Sequence, residues 1–178
     1  MYRSISLIIV CFAALVFGGT DCSGGRSSAT EAIPVDIGTL PANCANEHEL
    51  GAAIALIAST KKAEEDSDAR KVVCLGVSKN GRPVAVVLFT LESFAGSNLW
   101  RQYLATFEVG SDQRLALIDI KEVGGRGIRS VTGLEAGPNV AVLSGLGYGP
   151  DDAGCCPSEP STQRFAIRGG HLEPIASK

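Results

Sequence analysis

The chain reads as an α+β fold, with one N-terminal helix packed on a mainly antiparallel meander of about seven or eight strands. Three observations predict it. Apolar residues recur at helical spacing in one clear stretch, just after Asn46. From Val72 to Ile175 short apolar or alternating runs follow one another, separated by Gly, Pro, Asn and Asp. Glycine is frequent (21 of 178 residues) and aromatics are scarce (6%), which suits a turn-rich sheet better than a bundle of helices.

The first 43 residues fall outside this pattern. Arg3 precedes an unbroken apolar run from Leu7 to Phe17, and Gly18, Gly19 and Thr20 follow it. Eleven residues at helical rise cover roughly 16 Å, about half of a bilayer's hydrocarbon core. The run is too short to span and has the form of a secretory signal peptide, residues 1–21. Cys22 follows at once and is a candidate for lipidation, which would tether the chain to a membrane. Asp21 beside it is a poor fit to a lipoprotein peptidase, so plain cleavage is the first expectation. Residues 22–43, rich in Ser, Gly, Ala and Pro, read as a flexible spacer. The expected domain is 44–178.

Within the domain, Asn46 is placed to cap the helix, and Glu49 stands three residues on, as a capping box requires. Leu50, Ala53, Ile54 and Ile57 form its apolar stripe. The segment from Lys61 to Lys71 (KKAEEDSDARK) reads as a polar connection, and its acids from Glu64 to Asp68 read as a solvated loop rather than a metal site. Val72 to Val77 is the first expected strand. Asn80-Gly81 predicts a type I′ hairpin turn. Pro83 to Thr90 is apolar on both faces, so it belongs near the sheet centre. Leu99 to Val109 alternates: Trp100, Gln102, Leu104, Thr106 and Glu108 share one face, and Arg101, Tyr103, Ala105, Phe107 and Val109 share the other. Further strands are expected at 114–122, 128–134, 140–144, 163–168 and 171–175. Turns are expected at Ser111-Asp112, at Ala136 to Asn139 and at Gly169-Gly170.

Six cysteines stand at 11, 22, 44, 74, 155 and 156. Cys11 leaves with the signal peptide. With Cys22 lipidated or lost, Cys44, Cys74, Cys155 and Cys156 remain for disulfides in an oxidising compartment. Pairing of Cys44 with Cys74 would staple the helix start to the first strand. Cys155 and Cys156 would in that case bond to each other; in the alternative, crossing arrangement they take Cys44 and Cys74 separately. Four cysteines could also hold zinc, but zinc sites use close pairs, which this spacing lacks.

The C-terminal stretch carries a resemblance. Gly147-Tyr148-Gly149-Pro150-Asp151-Asp152 leads into Cys155-Cys156-Pro157-Ser158-Glu159-Pro160. The strand Gln163 to Ile167, a Gly-Gly turn and a last strand follow. Upstream stand the apolar strand Val84 to Leu88, the loop Ser93 to Ser97 and the aromatic strand Trp100 to Ala105. Together these resemble a family of bacterial exported domains related to the LppP/LprE-like lipoproteins, over roughly residues 72–175. The Cys-Cys-Pro segment is the specific part. The resemblance implies an exported β-rich domain, often lipid-anchored, and brings no activity with it. Such domains often carry an acidic loop before the apolar strand. Here Ser78-Lys79-Asn80-Gly81-Arg82 stands in its place, and its two cations oppose a bound Ca²⁺.

Catalytic constellations are not evident. His48 and His171 read as surface residues, no G-x-S-x-G elbow occurs, and Gly124 to Gly127 reads as a turn rather than an anion cradle. The net charge of −3 argues against nucleic acid as a partner. The resulting expectation is a non-enzymatic, exported cell-envelope protein with no cofactor and no bound metal. It would bind a protein or envelope component through Ser93, Phe94, Trp100, Tyr148, Asp151, Asp152 and Glu159. Two alternatives stand beside it: an envelope thiol-redox factor or enzyme using Cys155 and Cys156, and an inhibitor or immunity-type protein.

Overall fold

The computed structural model describes residues 44–176; the segments read above as a signal peptide (1–21) and a spacer (22–43), with Cys22, lie outside the described residues. Asn46 has an extended backbone, and its Oδ1 accepts the His48 N–H at 2.8 Å, capping α1 (Glu47–Lys61). Glu49 does not complete the expected box; its carboxylate lies 3.9 Å from His48 Nδ1. The helix stops where Lys62 turns left-handed (φ 53°) and its N–H bonds back to Ser59 O. Leu50, Ile54 and Ala58 are buried, with Ala53 and Ile57 packed beside them, so the expected stripe faces the sheet.

Residues 61–71 are not a polar connection. The helix takes Lys61, and β1 (Glu64–Val77) begins three residues later. Within β1 the register slips: Asp66 opposes Thr90 of β2 (Pro83–Glu92), whereas Lys71 opposes Leu88. Five steps of β1 match two of β2. In a regular strand, residues five apart point to opposite faces. The bulge instead brings Glu65 and Arg70 together. Arg70 Nε and Nη2 donate to the two Glu65 oxygens at 2.8 and 2.7 Å, and Nη1 bonds Glu47 at the start of α1. Glu65 is therefore a strap rather than a solvated acid. Its hydrogen bonds and charge raise the Arg70 pKa, although burial opposes them. Charged and small polar residues are poor strand formers, which is why this part of β1 looked like a loop.

All eight strands follow in consecutive antiparallel order. The first hairpin turn differs from expectation. Gly81 N–H bonds Ser78 O, Gly81 has φ +71°, and Asn80 is not left-handed. That is a single turn followed by a glycine bulge, not the type I′ pair. The expected Gly169-Gly170 hairpin is present with both residues at positive φ, between β7 (Glu159–Arg168) and β8 (His171–Ile175). Pro138-Asn139 closes β5 (Arg129–Gly137) onto β6 (Val140–Gly147), Asn139 taking φ 54°.

β2 and β3 (Trp100–Val109) are buried on both faces. Val87, Phe89, Tyr103, Ala105 and Phe107 meet α1. Val84, Val86, Leu88 and Leu104 meet a second cluster built by Ala141, Leu143, Phe165, Ile167 and Leu172. The alternation read for residues 99–109 is thus correct, and both of its faces are interior. The second cover was not foreseen. It arises because β4 (Leu115–Gly125) joins β5 through one pair, Gly125 with Arg129, after which the sheet folds back over itself. The molecule has three layers: helix, β1–β4, and β5–β8.

Candidate functional site

Cys44 and Cys74 are bonded, with Cα atoms 5.8 Å apart, so the staple expected between helix start and first strand is formed. A loop of this length contributes about 3–4 kcal/mol by restricting the unfolded chain. With those two occupied, the crossing arrangement does not form. Cys155 and Cys156 instead stand as a neighbouring pair, both exposed.

The segment between β6 and β7 that carries them is held from within. Asp152 turns inward: Oδ2 accepts the N–H groups of Gly149 (2.7 Å) and Ser158 (2.9 Å), and Oδ1 accepts the Ser158 hydroxyl (2.7 Å). These bonds hold its carboxyl below the usual range. Asp152 therefore stays ionised, with its carboxylate oxygens engaged inside the loop rather than offered to a partner. Asp151 is exposed. Glu159 opens β7 opposite Gly147, and its side chain lies against Gly149. The Tyr148 hydroxyl donates to Gly154 O (2.9 Å) and accepts the Gly127 N–H (3.2 Å). That second bond fastens the loop to the 126–128 turn.

The same turn reaches Trp100. Arg126 N–H bonds Trp100 O at 3.2 Å, and Arg101 Nη1 donates to Arg126 O at 3.0 Å. Trp100, the 126–128 turn, Tyr148 and the cysteine loop therefore form one continuous end of the fold. Two other expected binding residues are elsewhere. Ser93 is a left-handed residue (φ 59°) in a turn whose next N–H but one, that of Ala95, bonds Lys62 O at the helix end. Phe94 packs on the helix-side core and anchors that turn.

Sequence reasoning missed a groove of about 410 Å³ beside Trp100. Asp66 and Lys71 line it from the β1 bulge, Thr90 and Glu92 from β2, and Ser130 to Thr132 from β5. Gln102 makes its floor. Its Nε2 donates to Val131 O (2.8 Å) and its Oε1 accepts the Val131 N–H (2.7 Å). One amide side chain thus bridges β3 to β5 as a strand's backbone would. The signal that could have located it is a lone amide among apolar partners in a strand buried on both faces. Arg129, beside Gly147, was also missed. Its Nη1 donates to Gln163 Oε1 at 3.2 Å, while the buried Nε and Nη2 have no partner among the described residues. Burial lowers its pKa.

No family model, curated protein or solved structure matches the chain. The chemistry of the site rests on its own geometry. Among the described residues, no group of three or more His, Cys, Asp or Glu is placed to hold a metal. No described helix is long and apolar enough to cross a membrane. What the arrangement offers is a rigid, solvent-facing end: a tryptophan beside a groove, a pinned turn, and a loop carrying two adjacent cysteines.

Proposed function

We propose that the chain is an exported protein of the bacterial cell envelope, periplasmic or lipid-anchored through Cys22, that acts by binding a partner. The observation that carries this reading is the internal pinning of the 148–158 loop by Asp152 and Tyr148. A loop ordered before it meets its partner loses less conformational entropy on binding. The signal-like N-terminus, the Cys44–Cys74 bond and the Cys-Cys-Pro resemblance to LppP/LprE-like domains support the placement. The test is capture from envelope extract with the native protein as bait. A partner retained by the native chain should be lost by Asp152→Ala, whose loop is released. A partner held equally by both would overturn the role of the loop. The mass of the N-terminal peptide from envelope material decides the placement, and an intact Met1 to Asp21 would refute it.

A second reading is favoured by one observation, the exposed adjacent pair Cys155 and Cys156. In it the loop exchanges thiols with an envelope substrate. Thiol titration of the folded protein separates the two readings. Free or easily reduced sulfurs at 155 and 156, with Cys44–Cys74 intact, favour exchange; inert ones favour binding alone.

A further inference from the structure

We infer that the groove beside Trp100 is a saccharide site, taking one or two pyranose rings of an envelope glycan. This deepens the binding reading above and rests on it for the envelope origin of the glycan.

Size comes first. A groove of about 410 Å³ is within the range of small-ligand sites. Its floor is built. Gln102 and Thr90 are 7% and 8% exposed, and Gln102 has both heteroatoms fixed on Val131. The floor therefore holds its shape without a ligand. The rim is the reverse. The side chains of Asp66, Lys71 and Glu92 make no hydrogen bond or ion pair among the described residues, although each lines the groove. Two carboxylates offer acceptors only, and one ammonium offers donors.

Those groups select the ligand chemistry. Two carboxylates against one ammonium disfavour phosphates and acidic sugars. Adjacent hydroxyls of a neutral ring are donors that match unpaired carboxylate oxygens, and the Lys71 ammonium can serve the acceptor side of the same hydroxyls. Trp100 is the one aromatic residue of the lining and supplies a flat apolar wall for a ring's C–H face. A quaternary ammonium would call for several aromatic rings around it, and only one is present.

Trp100 is also the sole tryptophan of the chain, so emission excited where tyrosine does not absorb comes from the groove's own aromatic residue. The experiment titrates the purified mature protein with chitotetraose, maltotetraose and mannotetraose. The expected result is a saturable change in emission with at least one of them, with a dissociation constant between roughly 10 μM and 1 mM. Asp66→Asn and Glu92→Gln should each weaken binding about five-fold or more, with the circular dichroism unchanged. No saturable change with any of the three at about 10 mM would overturn the proposal. So would a response undiminished in the double variant, or one produced instead by choline chloride at matched ionic strength. Failure here with a loop-dependent envelope partner captured leaves the binding reading standing. Success here with an uncleaved N-terminus removes only the placement.

Discussion

Gln102 occupies a position where an apolar side chain would be expected, between Tyr103 and Arg101 in a strand enclosed on both faces. It stays because its amide bonds both the N–H and the C=O of Val131, near where β5 leaves β4. Gln102→Leu strands both groups in the interior. The expected loss is about 2–4 kcal/mol, read as a lower urea midpoint with an unchanged slope. Asp119 acts at the same scale. Burial alone would raise its carboxyl. The Leu172 and Ile120 N–H groups, at 3.0 and 2.8 Å, and Lys121 outweigh burial and hold it below its ordinary value. A carboxyl lowered by folding stabilises above its unfolded pKa of about 3.9 and loses that contribution as pH falls through the lower folded value. Thermal melts of the native protein should therefore drop more between about pH 5 and pH 2 than those of Asp119→Asn. Gly170 is constrained in another way. Its φ is +91°, and an added Cβ would lie 2.3 Å from Ile118 Cδ1. Gly170→Ala should unfold at lower temperature than Gly127→Ala, where φ is also positive but nothing lies within 4 Å.

At the scale of elements, the strap between α1 and β1 decides how the helix sits. Arg70 and Glu65 have side chains only 8% and 12% exposed, and Glu47 extends the contact to the helix N-terminus. Removing one partner leaves a poorly solvated charge behind. Glu65→Met alone should cost about 3–5 kcal/mol, whereas Glu65→Met with Arg70→Met should cost clearly less, a difference that a double-mutant cycle in urea measures. This element also marks where the sequence stopped being legible. The helix, the strand from Val72 onward and the alternation of β3 could be read because apolar periodicity reports burial directly. The first half of β1 could not. Its residues are exposed or half-buried and held by a bulge and an ion pair, and neither leaves a period in the hydrophobic pattern. The hairpin at Asn80-Gly81 was read correctly, but its turn type was not, for a related reason. The dipeptide permits a type I′ turn, but the Ser78 hydroxyl, which accepts the Asn80 N–H at 3.1 Å, favours a longer loop.

The whole molecule shows the same division. A meander of eight strands followed from short alternating runs, yet nothing local announces that strands five to eight fold back on strands one to four. That layering depends on a cluster that gathers residues far apart in the chain, such as Leu104 and Phe165. The candidate site was legible only in part. Trp100, Tyr148 and the cysteine loop were singled out and lie at one end of the fold. Phe94 is half-buried against the helix-side core, and the groove was invisible because Asp66 and Trp100 meet only through the β1 bulge. The two cysteine pairs should behave differently. Cys44 is buried and Cys74 half-buried, whereas Cys155 and Cys156 are exposed. Limited reduction followed by alkylation and peptide mapping should label 155 and 156 first. Replacing Cys44 and Cys74 together by Ala should lower stability by about 3–4 kcal/mol.

The single rung between Gly125 and Arg129 has a mechanical meaning. A continuous sheet transmits cooperativity from strand to strand through its ladder, but here the ladder is almost cut, and the two leaves are coupled mainly through side-chain packing. Amide exchange under native conditions should then resolve two protection classes, a disulfide-clamped leaf that opens rarely and a C-terminal leaf that opens more often. A chain severed in the turn at Gly127 should reassemble from its two pieces, much as a book rebinds along a torn spine.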